Sequence, residues 1–493
     1  MNEQNESFLF RLPRELRDEI YHYYVLEENG YHHDATSDKL RQASGHPINL
    51  SLQYTCKKTV TEMEGLALQV NRVIFRTMLD LPTAGSKFSN ATVWDHLLRE
   101  RERPLRRMFC WSRPLVTVEA IQRLRELHPD STAAEEIEKG FIEMSDEKAF
   151  IEMGARIDWL EGGKLFNSRK IWSIDYTAHS TLRQDLLQIL STQPDFWRLT
   201  SKDYTKELEE DDADWIVYQD PAYPNRAIQA LALGWRPDPW RMPDRAELDM
   251  IAEFHSWLPR PGKDFDGWSR CRCRDETYFS ATAVAIQFLE RLPPATRMHL
   301  RSVVINEDRK SVADGKTHAR GLIPLCRENL KIRIERRVDV FFQHDLFDRV
   351  SLEEGIEEIA PWFSETKFLE RLGMPPGSFS LILHGPTPRA SQRLSDLLIK
   401  IAIWDEGCTI LKHRMGHSSK YVAYPMYRGF ADGVKKMVTG ELPARVEADM
   451  GHAWDINQLL DDHVGEWPAD SEDVYVKLTT EHAGHELSLE EED

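Results

Sequence analysis

Cysteine is scarce: the chain has six among 493 residues, and only Cys271 and Cys273 stand close together. A disulfide scaffold is excluded, and thiols used this sparingly fit a reducing compartment. Positive charge is not in excess. Lys and Arg number 63 against 82 Asp and Glu, a net charge of −19. That balance argues against a nucleic-acid partner, which requires a basic face. No apolar run approaches the ~20 residues that cross a bilayer, so no membrane partner is expected. The polar start, Met1 to Ser7, lacks the basic-then-apolar order of a secretory signal. The acidic end at Glu490–Asp493 matches no lipidation motif. Cytoplasm or nucleus is the expectation. There is also no Gly-x-x-x-x-Gly-Lys-Ser/Thr loop and no Gly-x-Gly-x-x-Gly, so the usual phosphate cradles are missing and no cofactor is implied.

What is present is an ordinary globular composition, 41% hydrophobic and 29% charged, in a chain long enough to bury a core without staples. At ~150 residues per domain the length suggests about three domains. Residues 8–26 read as an amphipathic helix, with Leu12, Leu16, Ile20 and Tyr24 recurring every fourth residue and Pro13 at a helix start. A polar stretch from Glu27 to Pro47 breaks the pattern. Helical spacing returns from Ile48 to about Phe75, and Pro82, Gly85 and Ser86 mark a linker. Helical rhythm resumes from Val118 to Leu160 and closes at Gly162-Gly163.

Beyond that point strands and helices alternate. Trp172, Ile174 and Tyr176 have strand spacing, followed by a helix carrying Leu182, Leu186, Ile189 and Leu190. An apolar helix face runs from Ala281 to Leu292, stopped by Pro293-Pro294, and Ser302–Ile305 reads as a buried strand. Leu330, Ile332 and Ile334 suggest a half-solvated strand. Phe379, Leu381 and Leu383 suggest another before Gly385-Pro386, and Leu394, Leu397, Leu398 and Ile401 a following helix. The expected class is α+β, a mixed α/β fold: an N-terminal helical module (1–80), a helical region (81–163), an irregular strand–helix α/β region (164–465) and an acidic tail (466–493). Asp203–Asp214 and Gly234–Asp244 read as loops, and the tail as solvated.

The segment Phe10-Arg-Leu-Pro-Arg-Glu-Leu-Arg-Asp-Glu-Ile-Tyr21 resembles the opening of an F-box. The family pattern Leu-Pro-x-Glu-Leu, with an Ile four positions later, falls on Leu12, Pro13, Glu15, Leu16 and Ile20. Leu50, Leu52, Thr55, Cys56 and Lys57 are similar to its second, Leu-rich part, and Phe75 to its closing aromatic. Glu27–Pro47 looks like an insertion between the halves, Lys57 stands for the usual Arg, and Lys58-Thr59 replace a frequent Trp. This form is similar to an F-box-like family at the start of fungal proteins. The blocks Tyr278–Thr282, Asn306–Arg309 and His318–Cys326 are similar to stretches of the same proteins. The resemblance implies that Leu12, Pro13, Leu16, Ile20, Leu50, Leu52 and Cys56 contact the adaptor of a cullin–RING ubiquitin ligase. The rest of the chain would then recruit a protein substrate, with no chemistry of its own. The alternative is a non-catalytic scaffold whose first helix is merely core.

Other constellations are weaker. Cys271-Arg-Cys273 with His255 and His299 lacks the paired ligand couples of a structural zinc site. His413 and His417 lack the Glu of a zinc hydrolase. Gly416-His-Ser418-Ser419-Lys420 approaches a nucleophile elbow, but Lys420 stands where the closing Gly belongs. A serine hydrolase centred on Ser418 would need His384-Gly385 as its oxyanion loop, and Asp455 or Asp461 with His463 to complete a triad. Arg297–Arg337 is locally basic and reads as a solvated sheet face, offset by Glu307, Asp308, Glu328 and Glu335. An acidic or phosphorylated partner segment, or nucleic acid, is the alternative reading of that stretch.

Overall fold

The computed structural model describes residues 7–82, 86, 88–129, 176–201, 225–254, 276–343, 352–415 and 430–463. Its strands are β1 (Tyr31–Asp34), β2 (Lys39–Gln42), β3 (Arg72–Arg76), β4 (Met78–Asp80), β5 (Thr277–Phe279), β6 (Ser302–Glu307), β7 (Arg333–Asp339), β8 (Phe379–His384) and β9 (Ala444–Val446). Seven of them form one sheet in the order β2-β1-β3-β6-β7-β8-β9. β2 runs antiparallel to β1, and every other neighbouring pair in this sheet is parallel. The mixed α+β class read from the sequence is therefore observed.

Parallel neighbours need crossover connections, which the intervening helices supply. The helices Ala281–Arg291, Ile323–Glu328, Leu352–Leu369, Pro388–Met415 and Phe430–Val438 contribute side chains to one apolar cluster with the sheet. Strand alternation aims Val73, Phe75, Val303, Ile305, Ile334, Val338, Leu381 and Leu383 into that cluster. Among the described residues, the parallel strands succeed one another without reversal, and their order has no switch point of the kind at which doubly wound sheets bind ligands.

The strand pairing corrects the linear division into domains. β3 pairs with β6 over Arg72–Arg76 and Ser302–Asn306, so residues on both sides of the division near residue 80 share one sheet. β4 pairs antiparallel with β5, joining the chain before and after a long excursion. The helices Asn90–Ser112, Val118–Leu127, Tyr176–Leu190, Phe196–Thr200, Arg226–Gly234 and Arg245–Phe254 all lie inside that excursion. They build further apolar clusters around Phe109, Leu124, Leu186 and Phe196, and around Trp94, Leu97 and Leu248.

Local readings also shift. The polar stretch Glu27–Pro47 holds the β1–β2 hairpin. Ile48–Phe75 is not continuous helix: Lys57–Glu62 and Leu66–Val70 are short helices, and Phe75 lies in β3, fully buried. The strand read at Leu330–Ile334 begins later, at Arg333, because Leu330 is exposed on the preceding turn. Gly234 ends a helix and Trp235–Asp244 is a packed loop, with Trp235 edge-on to Trp94 and the Trp94 indole N–H donating to the Pro239 carbonyl. Tyr176 starts a helix rather than ending a strand. Of the helical run read over Val118–Leu160, residues 130–160 lie outside the described residues, as do Gly162-Gly163, Trp172–Asp175, Asp203–Asp214 and the acidic tail. Among the described residues, no helix is long and apolar enough to cross a membrane.

Candidate interaction surface

The single helix read over 8–26 is broken at Leu12-Pro13: one turn, Phe8–Arg11, precedes the break, and the first helix longer than a turn begins at Arg14 and runs to Val25. Its inner face is Arg17, Tyr21 and Val25. Arg17 is buried although charged, because Glu62 receives its guanidinium through Nε (3.0 Å) and Nη2 (2.7 Å). The Tyr21 hydroxyl donates to the same carboxylate at 2.8 Å. Arg14 adds a contact of 3.2 Å to Glu62. Asn71 closes the far end, donating from Nδ2 to the Val25 carbonyl and accepting from the Glu27 amide. One carboxylate from Lys57–Glu62 thus fixes the rotation of the first helix about its axis.

That rotation turns a second stripe outward. Leu16, Ile20 and Tyr23 are spaced i, i+4, i+7 and share a face. They are 46%, 40% and 68% exposed. Pro13 is exposed and Leu12 half-buried. The second group of sequence candidates lies differently. Leu50, Leu52 and Cys56 are half-buried. Leu52 packs on the small cluster of Tyr21, Val25 and Met63. Cys56 caps the Lys57–Glu62 helix, its amide donating to Thr59 Oγ1. Leu52 and Cys56 therefore hold the module together, while Leu16 and Ile20 face solvent. Tyr23 was missed in the sequence because Tyr24 fits the four-residue ladder as well. Tyr24 instead turns inward, its hydroxyl donating to Asn49 Oδ1 and accepting from the Leu52 amide.

The hydrogen bonds from Arg17, joined by Tyr21, hold the Glu62 carboxyl down to about 2 against the opposing effect of burial. A depressed carboxylate contributes stability above its ordinary value, about 4.5, and loses it as pH falls through the folded value. The contact between the first helix and Lys57–Glu62 is expected to loosen between pH ~4.5 and ~2. At neutral pH, Glu62→Gln should expose the amides of Arg14–Val25 to faster hydrogen exchange than in the wild type. Unchanged exchange would show that the ion pair does not hold the helix.

No family model matches the chain. No curated protein and no solved structure matches it either.

The remaining candidates separate under the geometry. Cys271, Cys273, His255, His417, Ser418 and Lys420 lie outside the described residues. His299 contacts Gln69 through Nδ1 at 3.0 Å. Among the described residues, no cluster of three His, Cys, Asp or Glu is arranged to hold a metal ion. The Gly385 amide, assigned to an oxyanion loop in the hydrolase reading, already donates to Ser391 Oγ at 3.0 Å.

A buried polar network was not read from the sequence. Ser280 Oγ lies 2.6 Å from His318 Nδ1, and His318 Nε2 lies 2.8 Å from the Ala313 carbonyl. Two successive residues at positive φ, Ala313 and Asp314, bring that carbonyl round. Burial holds the His318 imidazole down to about 4, so it is neutral: Nε2–H donates to Ala313 and Nδ1 accepts from Ser280. A Ser–His pair suggests a nucleophile and base, but both residues are almost fully buried. Ser280 Oγ also accepts from the Ala283 amide, which makes it the N-cap of Ala281–Arg291. Ser280→Ala loses the cap and leaves His318 Nδ1 unpaired, and should therefore cost about 2–4 kcal/mol of stability, read by thermal melting. The three blocks noted for their resemblance, Tyr278–Thr282, Asn306–Arg309 and His318–Cys326, meet in and around this network.

Proposed function

We propose that the chain is a non-catalytic receptor: its N-terminal module docks on the helical adaptor of a cullin–RING ubiquitin ligase, and its α/β body recruits a protein substrate. The observation that carries this reading is the exposure of Leu16 and Ile20 on a helix whose opposite face is pinned by Arg17, Tyr21 and Val25. An interface anchor must be available in the free chain and held by its own scaffold, and these residues meet both conditions. The scaffold alternative treats the same two side chains as core, a role that their exposure does not favour. Holding a substrate beside the ligase raises its effective concentration there without any reaction on the receptor itself. Gel filtration of the full chain with purified adaptor tests the assignment. Co-elution at micromolar concentration is expected. A folded chain that elutes alone sinks it.

A further inference from the structure

The outer face of the sheet, opposite the helices, carries a cleft of about 250 Å³ at the start of its parallel strands. Arg72, Ser302, Arg333, Glu335, Ser378 and Ser380 line it together with apolar strand residues. The register places Arg72 directly beside Ser302, and Ser302 directly beside Arg333. With strands about 4.8 Å apart, the two arginines are rooted about 10 Å apart with a hydroxyl between them.

Both arginines are exposed. Among the described residues, neither makes an ion pair within 4.0 Å. Arg333 Nη1 donates to the Leu330 and Ile332 carbonyls, leaving the other N–H groups of its fork for a ligand. Glu335, the acid in the cleft, is offset by Arg337 at 2.9 Å and Arg445 at 3.8 Å. Arg337 also meets both oxygens of Glu447 at 2.6 Å. Four arginines against two glutamates leave this patch positive on a chain whose net charge is −19. A local sign opposite to that of the whole molecule favours a short anionic segment over a long polyanion, which the remaining surface repels.

We propose that this row binds a carboxylate-rich peptide segment of a partner protein, with acidic side chains at alternate positions paired to Arg72 and Arg333. Alternate residues of an extended peptide project to one side about 6.7 Å apart, and flexible Arg and Glu side chains span the remaining few ångströms to guanidiniums rooted about 10 Å apart. Planar carboxylates meet guanidinium forks bidentately, with Ser302 as a further donor between them. The proposal deepens the receptor reading by naming the chemistry of what the body recruits. Its test omits the adaptor, so the two assignments fail separately.

The test is fluorescence anisotropy of the full chain with a labelled Gly/Ser dodecapeptide carrying Glu at alternate positions. Binding is expected, weakening as KCl is raised, and absent for the same peptide with Gln in place of Glu. The double variant Arg72→Ala/Arg333→Ala should lose at least tenfold in affinity while melting like the wild type. Arg389→Ala/Arg393→Ala, an equal loss of charge on the exposed side of the Pro388–Met415 helix, should bind as the wild type does. Three results overturn the proposal: no binding of the Glu peptide, equal weakening in both double variants, or binding only when phosphoserine replaces Glu.

Discussion

Arg336→Met is expected to destabilise the sheet body by about 3–5 kcal/mol, the usual cost of removing one partner from a buried ion pair. Arg336 and Glu307 are each about 1% exposed, where the sequence suggested a solvated face. Glu307 Oε1 accepts from Arg336 Nη2 at 2.7 Å and Nε at 3.1 Å. The same carboxylate receives the amides of Ala281 and Thr282 and the Thr282 hydroxyl, so it also anchors the start of the Ala281–Arg291 helix. Arg336 further donates to the carbonyls of Gly315 and Lys316 and lies 4.6 Å from the Trp362 ring centre. Met keeps the volume and loses all of these donors. At roughly 2–4 °C per kcal/mol for a body of this size, the melting temperature should fall by roughly 6–20 °C.

The loss should depend on pH. Burial pulls the Glu307 carboxyl up, but the Arg336 charge and the Thr282 and Arg336 hydrogen bonds outweigh it and hold the group below its ordinary value. In the wild type this contributes stability above the unfolded carboxyl value, lost as pH falls through the folded one. In Arg336→Met burial acts without the counter-charge, the folded value rises, and the sign reverses. The deficit against wild type should be largest near neutrality and shrink as pH falls toward ~4.5. A deficit independent of pH would assign the effect to packing around Trp362. Glu307→Gln in the same background should recover part of the loss at neutral pH, because the unpaired charge is gone.

Leu16→Asp is expected to abolish adaptor binding and leave the fold intact. An interface that closes over this side chain would bury an unpaired carboxylate at a cost of several kcal/mol. At ~1.4 kcal/mol per tenfold, a loss of ~3 kcal/mol reduces affinity more than a hundredfold. Stability should change by no more than about 0.5 kcal/mol, as for other exposed positions. Ile20→Asp should behave alike. Tyr21→Ala, one residue further on, should do the opposite: it removes a fully buried ring and a hydrogen bond to Glu62, and so should melt the module first. If Leu16→Asp unfolds the N-terminal region, that face is core and the scaffold reading takes over.

The neighbouring residues show how far the sequence could be read. Leu16 and Ile20 are visible as a stripe because helical spacing is local. Arg17 is not visible as an inner residue, because the carboxylate that permits its burial lies 45 positions away. The β1–β2 hairpin escaped because Tyr31-His-His-Asp34 is a short polar strand with little alternation, although it lies between β2 and β3. The second half of β7 escaped because three consecutive charged residues, Glu335, Arg336 and Arg337, interrupt the alternation, and the middle one points into the core.

The sequence by itself determined the mixed class, the scarcity of cysteine, the helices with a continuous apolar face such as Ala281–Arg291, and the apolar strands at Ser302 and Phe379. Each is written in a period of two or about 3.6 residues, or in composition, and needs no knowledge of distant neighbours. Only the tertiary structure decided that β3 joins β6 across the long excursion, that Glu62 fixes which side of the first helix faces out, and that Arg72 and Arg333 flank one serine. Strand pairing and the burial of charge both depend on a partner far along the chain, and no local period records which partner that is.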